Sequence, residues 1–168
     1  METVPRRILS VDIGSKNTGV CGLVGTKLAL WEVAPLEAPT VAGVSAFFRD
    51  VTARFPPDLV VLERQMRSNT VATRLEAMIE MFFHCRGIPV TLCAPTVKLR
   101  NALLMGYATM DEIMEAKTSY VKRKRLAVTA AGRWLETSGA TSDWKTVFDS
   151  HAKKDDLADA ILQGIVYV

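Results

Sequence analysis

Ile8-Leu9-Ser10-Val11-Asp12-Ile13-Gly14-Ser15-Lys16-Asn17-Thr18-Gly19, near the start of the 168-residue chain, is the stretch on which the reading of the fold turns. Apolar residues at 8, 9, 11 and 13, followed by Gly14 and Gly19, predict a buried strand running into a turn. Asp12 is out of place there, because a buried carboxylate without a partner costs several kcal/mol. It is expected to face a cleft, a metal ion or a phosphate-bearing ligand. The rest of the chain is read for partners to it.

The length fits one domain, taken as residues 1–168, with enough chain to bury a full core. No apolar run approaches the ~20 residues of a membrane span. The basic start, Met1-Glu2-Thr3-Val4-Pro5-Arg6-Arg7, is followed by no apolar signal region, since Asp12 interrupts it. Cys21, Cys85 and Cys93 are an odd number without Cys-x-x-Cys spacing, so all three are expected to be reduced core residues in an intracellular, reducing compartment. The net charge of +3 names no partner. Its distribution says more: Lys117, Lys122, Arg123, Lys124, Arg125 and Arg133 fall in one segment, and Arg64, Arg67 and Arg74 in another. Such clusters suit a polyanion, although a charge run is more often a solvated helix face.

Outward from the opening strand, residues 8–13, 18–24 and 27–33 read as a three-stranded meander with a break at Gly25-Thr26. Pro35 and Pro39 mark a loop. Residues 41–55 carry apolar positions at helical period, stopped by Pro56-Pro57. Residues 58–65 predict a strand: Leu59-Val60-Val61-Leu62 is continuous apolar, and it ends in Glu63-Arg64-Gln65. A helix follows over 70–85 with an apolar stripe from Val71 to Phe83, suited to the core or to a subunit interface, and closed by Arg86-Gly87. Then come a short strand at 89–93, a short helix at 97–104, a loop at 106–109 and one basic helix, from Asp111 or Thr118 to Glu136. Polar residues 137–150 read as a loop or disordered excursion, before a last helix over 153–165.

That last helix holds Asp155, Asp156 and Asp159. Acids in a first turn are favoured by the helix dipole, which accounts for Asp155. Asp156 and Asp159, three apart, share a face, and Asp159 lies among Leu157, Ala158, Ala160, Ile161 and Leu162, deeper than a capping acid reaches. Asp12, Glu63, Asp156 and Asp159 gathered together stay ionised only if cations neutralise them. Oxygen ligands without His or Cys suit Mg²⁺ or Mn²⁺. Two such ions about 4 Å apart support in-line displacement at a phosphodiester. A meander followed by alternating helices and strands, with acids on the first and fourth strands and the last helix, is the arrangement of the ribonuclease H-like fold. The expectation is therefore an α/β protein with a mixed five-stranded sheet flanked by helices.

Four pieces carry a resemblance: Asp12-Ile13-Gly14-Ser15-Lys16-Asn17, Leu62-Glu63-Arg64-Gln65-Met66-Arg67, Lys122-Arg123-Lys124-Arg125 and Lys154-Asp155-Asp156-Leu157-Ala158-Asp159. With them the chain resembles the RuvC-like Holliday junction resolvases, most closely their poxviral branch. The resemblance spans about Ile8 to Ile165. It implies a crossover junction endodeoxyribonuclease that resolves recombination or replication intermediates, using two Mg²⁺ (or Mn²⁺) ions and no small-molecule cofactor. It implies Asp12, Glu63, Asp156 and Asp159 as metal ligands and a lysine near the scissile phosphate from the basic helix, Lys124 first and Lys122 next. It also implies a homodimer on branched DNA, off the membrane, in the cytoplasm of a host cell if the source is a virus. Lys16, Asn17, Arg64, Gln65, Arg67, Lys122, Arg123 and Arg125 are the DNA-binding candidates, since arginine forks match phosphate oxygens. No aromatic platform is interleaved with them, so backbone and junction-shape recognition is expected.

Two other classes are open to the same opening strand. An actin- or sugar-kinase-like ATPase needs a duplicated fold and a second glycine-rich phosphate loop, which this length lacks. A non-catalytic branched-DNA-binding module is disfavoured because four acids in a DNA site repel the ligand.

Overall fold

The structure is a computed structural model that describes residues 6–14 and 16–168. Ser15 and the N-terminal segment 1–5, both quoted above, lie outside the described residues. In chain order the elements are β1 (Arg7–Asp12), β2 (Asn17–Val24), β3 (Lys27–Pro35), α1 (Val41–Arg54), β4 (Leu59–Glu63), α2 (Thr70–His84), β5 (Val90–Cys93), α3 (Val97–Leu104), α4 (Met110–Ala116), α5 (Tyr120–Thr137), α6 (Ser142–Ser150) and α7 (Lys154–Gly164).

The strands form one mixed sheet in the order β3-β2-β1-β4-β5. β1, β2 and β3 are antiparallel neighbours, while β4 lies parallel to β1 and β5 parallel to β4. Side-chain alternation explains the unbroken apolar runs. Ile8 and Val61 enter a core beneath α3, α5 and α7; Leu9, Val11, Val60 and Leu62 enter a second core beneath α1 and α2. The two central strands are thus buried on both faces. Gly25, at φ 54°, makes the tight turn between β2 and β3. Gly87, at φ 69°, ends α2: the Ile88 and Gly87 N–H groups donate back to Phe83 and His84 carbonyls.

α7 lies close on β1 and β2. A Cβ at Gly19 would come within 2.8 Å of the Asp156 carbonyl oxygen, and one at Gly164 within 2.9 Å of the Ser10 Cβ. Both glycines are therefore required by close packing. This approach carries the acids of α7 to the edge of β1.

Three expectations are corrected. Residues 137–150 are not one loop: α6 forms there, with Phe148 buried and stacked on Trp31 at 5.1 Å between centroids. Of the two starts read for the basic helix, Thr118 agrees with α5 to within two residues, and Asp111 is corrected, because it lies in a separate helix, α4. Lys117-Thr118-Ser119 separates the two helices, and Arg133 of α5 grips Glu112 of α4 through two bonds of 2.9 and 2.7 Å. Cys21 and Cys93 are buried thiols, but Cys85, at the exposed end of α2, is not a core residue. The stripe of α2 faces inward through Leu75, Ile79, Phe82 and Phe83; Val71 and Met81 are the large apolar side chains it leaves exposed.

Candidate active site

β1 and β4 run parallel and side by side, so their carboxyl ends open on the same edge of the sheet, where ligands of open α/β sheets bind. Asp12 closes β1 and Glu63 closes β4. β5 ends at the same edge, and α3 starts there four residues later, carrying Lys98. The Lys98 ammonium is 2.7 Å from Asp12 Oδ1, 2.5 Å from Glu63 Oε2 and 3.0 Å from Asp159 Oδ2, with its side chain only 10% exposed. Four elements distant in sequence thus deliver one polar cluster.

Its electrostatics are set by burial and by an excess of negative charge. Burial alone would lower the Lys98 pKa, but Asp12, Asp159 and Glu63 together raise it, so the ammonium stays charged. Burial raises the Glu63 carboxyl, with the Asp12 charge adding to the shift. Asp159 is pushed up to about 6 by burial, partly offset by Lys98 and reinforced by Asp12. Asp156, half-buried one turn earlier on α7, stands outside the Lys98-bonded set. Its carboxyl is raised by burial, then by Asp155 and Asp12.

Among the described residues, no group of three or more His, Cys, Asp or Glu side chains has metal-site spacing. Asp12, Glu63 and Asp159 converge on the ammonium instead. Their chemistry still fits a divalent cation: three carboxylates against one ammonium leave negative charge over, and every acidic donor is a hard oxygen.

Among the described residues, none of the other predicted side chains joins the Lys98 ion pairs. Lys124 pairs with Asp155 in the first turn of α7 and sits 5.2 Å from the centre of the Tyr120 ring, which gives Asp155 a partner beyond the helix dipole. Lys122 is exposed and bonded to Glu115 at 3.0 Å. Arg123 lies 5.9 Å from the Tyr120 ring centre, and Arg125 is exposed. Arg64 and Arg67 are exposed just past Glu63. Gln65 is half-buried and built into the turn: its backbone N–H donates to the Glu76 carboxylate and its Nε2 to the Glu63 carbonyl. Lys16 and Asn17 are exposed at the start of β2. A Cβ on Gly14 would overlap the Asn17 carbonyl oxygen, so the turn itself requires Gly14.

Sequence reasoning missed Lys98. A lysine in a short helix of mixed polarity reads as solvated, and the signal available was the position of that helix, directly after a third strand ending at the edge where Asp12 and Glu63 end.

A meander continued by parallel strands, with acids at two adjacent strand ends and on the last helix, defines a ribonuclease H-like α/β protein. The chain belongs to the family described as poxvirus A22 protein, whose model matches residues 6–168. That is the poxviral branch to which its motifs pointed. Among solved structures it is similar to the yeast mitochondrial Holliday junction resolvase Ydc2, at 16% identity over 94% of this chain and 77% of that one, with TM-score 0.70. It is also similar to Thermus thermophilus RuvC in complex with Holliday junction substrate, at 16% identity, 94% and 91% coverage and TM-score 0.59. RuvC of the same organism alone gives 16% identity, 94% and 92% coverage and TM-score 0.58. No curated protein sequence matches significantly.

Proposed function

We propose that the protein is a structure-selective endonuclease that cuts four-way and related branched DNA junctions by divalent-metal-dependent phosphodiester hydrolysis. The observation that carries this reading is the convergence of Asp12, Glu63 and Asp159 on one buried lysine at the edge where β1 and β4 end. Family membership and the likeness to two resolvases support the choice of substrate.

In this reading Asp12, Glu63, Asp156 and Asp159 hold two Mg²⁺ ions, with Mn²⁺ able to substitute. Bound there, the metal supplies water activation and neutralises charge on the leaving oxygen. Lys98, held charged inside the cluster, adds a fixed positive charge where a phosphate would enter. Lys124, anchored by Asp155, is the second cation near that phosphate. Arg64 and Arg67 face outward beside Glu63 and grip backbone phosphates. Lys16, Asn17, Gln65, Lys122, Arg123 and Arg125 extend the contact: the charged members bind phosphates, and Gln65 shapes the turn that presents its neighbouring arginines. The protein acts as a homodimer, one active site per cut strand, leaving nicks that a ligase seals. It needs no small-molecule cofactor, and no described helix is long and apolar enough to cross a membrane. Its place of action is the cytoplasm of the infected cell.

The test is cleavage of a synthetic four-way junction beside linear duplex, with Mg²⁺ or Mn²⁺. Wild type is expected to cut the junction and spare the duplex. Asp12→Asn should lose cutting by at least about 10²-fold while junction binding survives or tightens, because one negative charge is gone. Undiminished cleavage by that variant refutes the reading.

A further inference from the structure

Two fully buried amides tie the candidate site together without touching its carboxylates. Gln163, 0% exposed, lies one helical turn beyond Asp159 on α7. Its Nε2 donates to the carbonyls of Val11 and Val61, each at 3.0 Å. Val11 immediately precedes Asp12, and Val61 lies two residues before Glu63. One amide on the helix that carries Asp159 therefore holds both strands close to the points where they deliver their acids. Asn101, 2% exposed, sits three residues beyond Lys98 on α3 and shares its face. Its Nδ2 donates to the Leu162 carbonyl at 2.9 Å and to the Gln163 carbonyl at 3.4 Å. β1, β4, α3 and α7, which bear Asp12, Glu63, Lys98 and Asp159, meet in this one network.

The network is not needed to fill the core, which apolar side chains of like volume would do as well. Among the described residues Gln163 Oε1 has no hydrogen-bond partner, a cost that an apolar side chain would not carry. The end of the side chain with a task is the donor end. Both atoms it meets are carbonyl oxygens, so neither a carboxylate nor a hydrocarbon at this position makes those bonds. Lys98 offsets part of the repulsion among the carboxylates, and the amide bonds hold the two strand ends and α7 against the rest.

We propose that Gln163, assisted by Asn101, is a positioning residue that sets the separation of Asp12, Glu63 and Asp159 required for divalent-cation binding. The inference rests on the metal-nuclease reading above. It is tested by calorimetric titration of Mg²⁺ and Mn²⁺ into wild type, Gln163→Met and Asn101→Leu, with melting temperature and single-turnover junction cleavage measured on the same preparations. Gln163→Met keeps length and volume and removes the donors. The expected result is metal affinity weaker by about 10-fold to 100-fold in Gln163→Met, with a smaller shift the same way in Asn101→Leu. Cleavage by Gln163→Met should need correspondingly more metal and recover as metal is raised, while junction affinity in EDTA is unchanged. Loss of fold stability alone would move none of these metal readouts.

Wild-type metal affinity in the folded Gln163→Met variant overturns the inference, whatever its melting temperature. Should Gln163→Met not fold, Asn101→Leu decides by the same measure; if neither folds, the network is architectural and the inference falls. A wild type that neither binds the cation nor cuts the junction brings down the functional reading and this inference with it. A wild type that does both, beside variants that match it, brings down this inference alone.

Discussion

Lys98 keeps its proton although burial opposes it, because three carboxylates lie within 3.0 Å. Lys98→Met leaves those acids facing one another. Breaking a buried pair from one side costs about 3–5 kcal/mol, reduced here as the acids take up protons, so the melting temperature should fall. Single-turnover cleavage should fall by about 10²-fold, the usual loss for one transition-state contact; a rate within about twofold of wild type would remove Lys98 from the site. Asp159 gives a pH dependence. Its folded pKa of about 6 stands above the ordinary 3.8. Between these values the folded state binds more protons than the unfolded one, so without added metal the Asp159 contribution makes stability fall as pH rises from about 4 to about 6. Cation binding needs the ionised acid and runs the other way. Added Mg²⁺ should raise the melting temperature more at about pH 7 than at about pH 5, and an equal gain at both would contradict ligation by Asp159. At this scale Asp12 and Glu63 were legible because an acid closing a buried apolar run is costly unless it has a role. Gln163, a polar residue between Leu162 and Gly164, carries the same signal. Lys98 carried none in its own neighbours, since its partners come from three other elements.

The strands were legible because both faces of β1 and β4 are buried and their sequences are apolar except at Ser10 and the terminal Arg7, Asp12 and Glu63. α6 was hidden by its polar composition. Its signal was the spacing of Trp144, Val147 and Phe148, one helical face among hydrophilic neighbours. Phe148 stacks on Trp31, whose Nε1–H donates to the Leu157 carbonyl in α7 at 2.9 Å. Phe148→Ala should therefore cost about 3 kcal/mol or slightly more, as for other buried phenylalanines, lowering the melting temperature by roughly 6–12 °C at 2–4 °C per kcal/mol. Trp31 emission should shift to the red as water reaches the indole. Cleavage well below the transition should persist, because α6 bears no residue of the cluster. A variant as stable as wild type would mean that α6 is not docked through this contact. The division of the basic helix was legible only as an alternative start at Thr118; the ion pair of Arg133 with Glu112, which ties α4 to α5, was not, because its partners lie 21 residues apart.

For the whole molecule, each chain carries one candidate active site, and the proposed symmetric resolution needs two. In the proposed reading the exposed Lys16, Arg64, Arg67, Lys122, Arg123 and Arg125 are the phosphate contacts, on a chain whose net charge is only +3. Binding must then draw on local charge and should weaken steeply with salt. Each phosphate-binding residue removed, Arg67→Ala for example, should reduce the salt slope by about 1. Val41 of α1 and Met81 of α2, 69% and 63% exposed, line an apolar groove between those helices, and the proposed dimer is assigned to it. Dimerisation is tested by mixing wild type with Asp12→Asn under exchange conditions and following a cruciform plasmid. Homodimers of wild type should release linear product by cutting both strands within one encounter. Mixed dimers should leave nicked circles, in a share that rises with the proportion of Asp12→Asn. Sedimentation of the active species should give twice the 18.5 kDa chain mass, and Met81→Asp should lower that mass and raise the nicked share. Paired cutting by a species of single-chain mass, with no nicked circles at any mixing ratio, would rule out the two-site dimer.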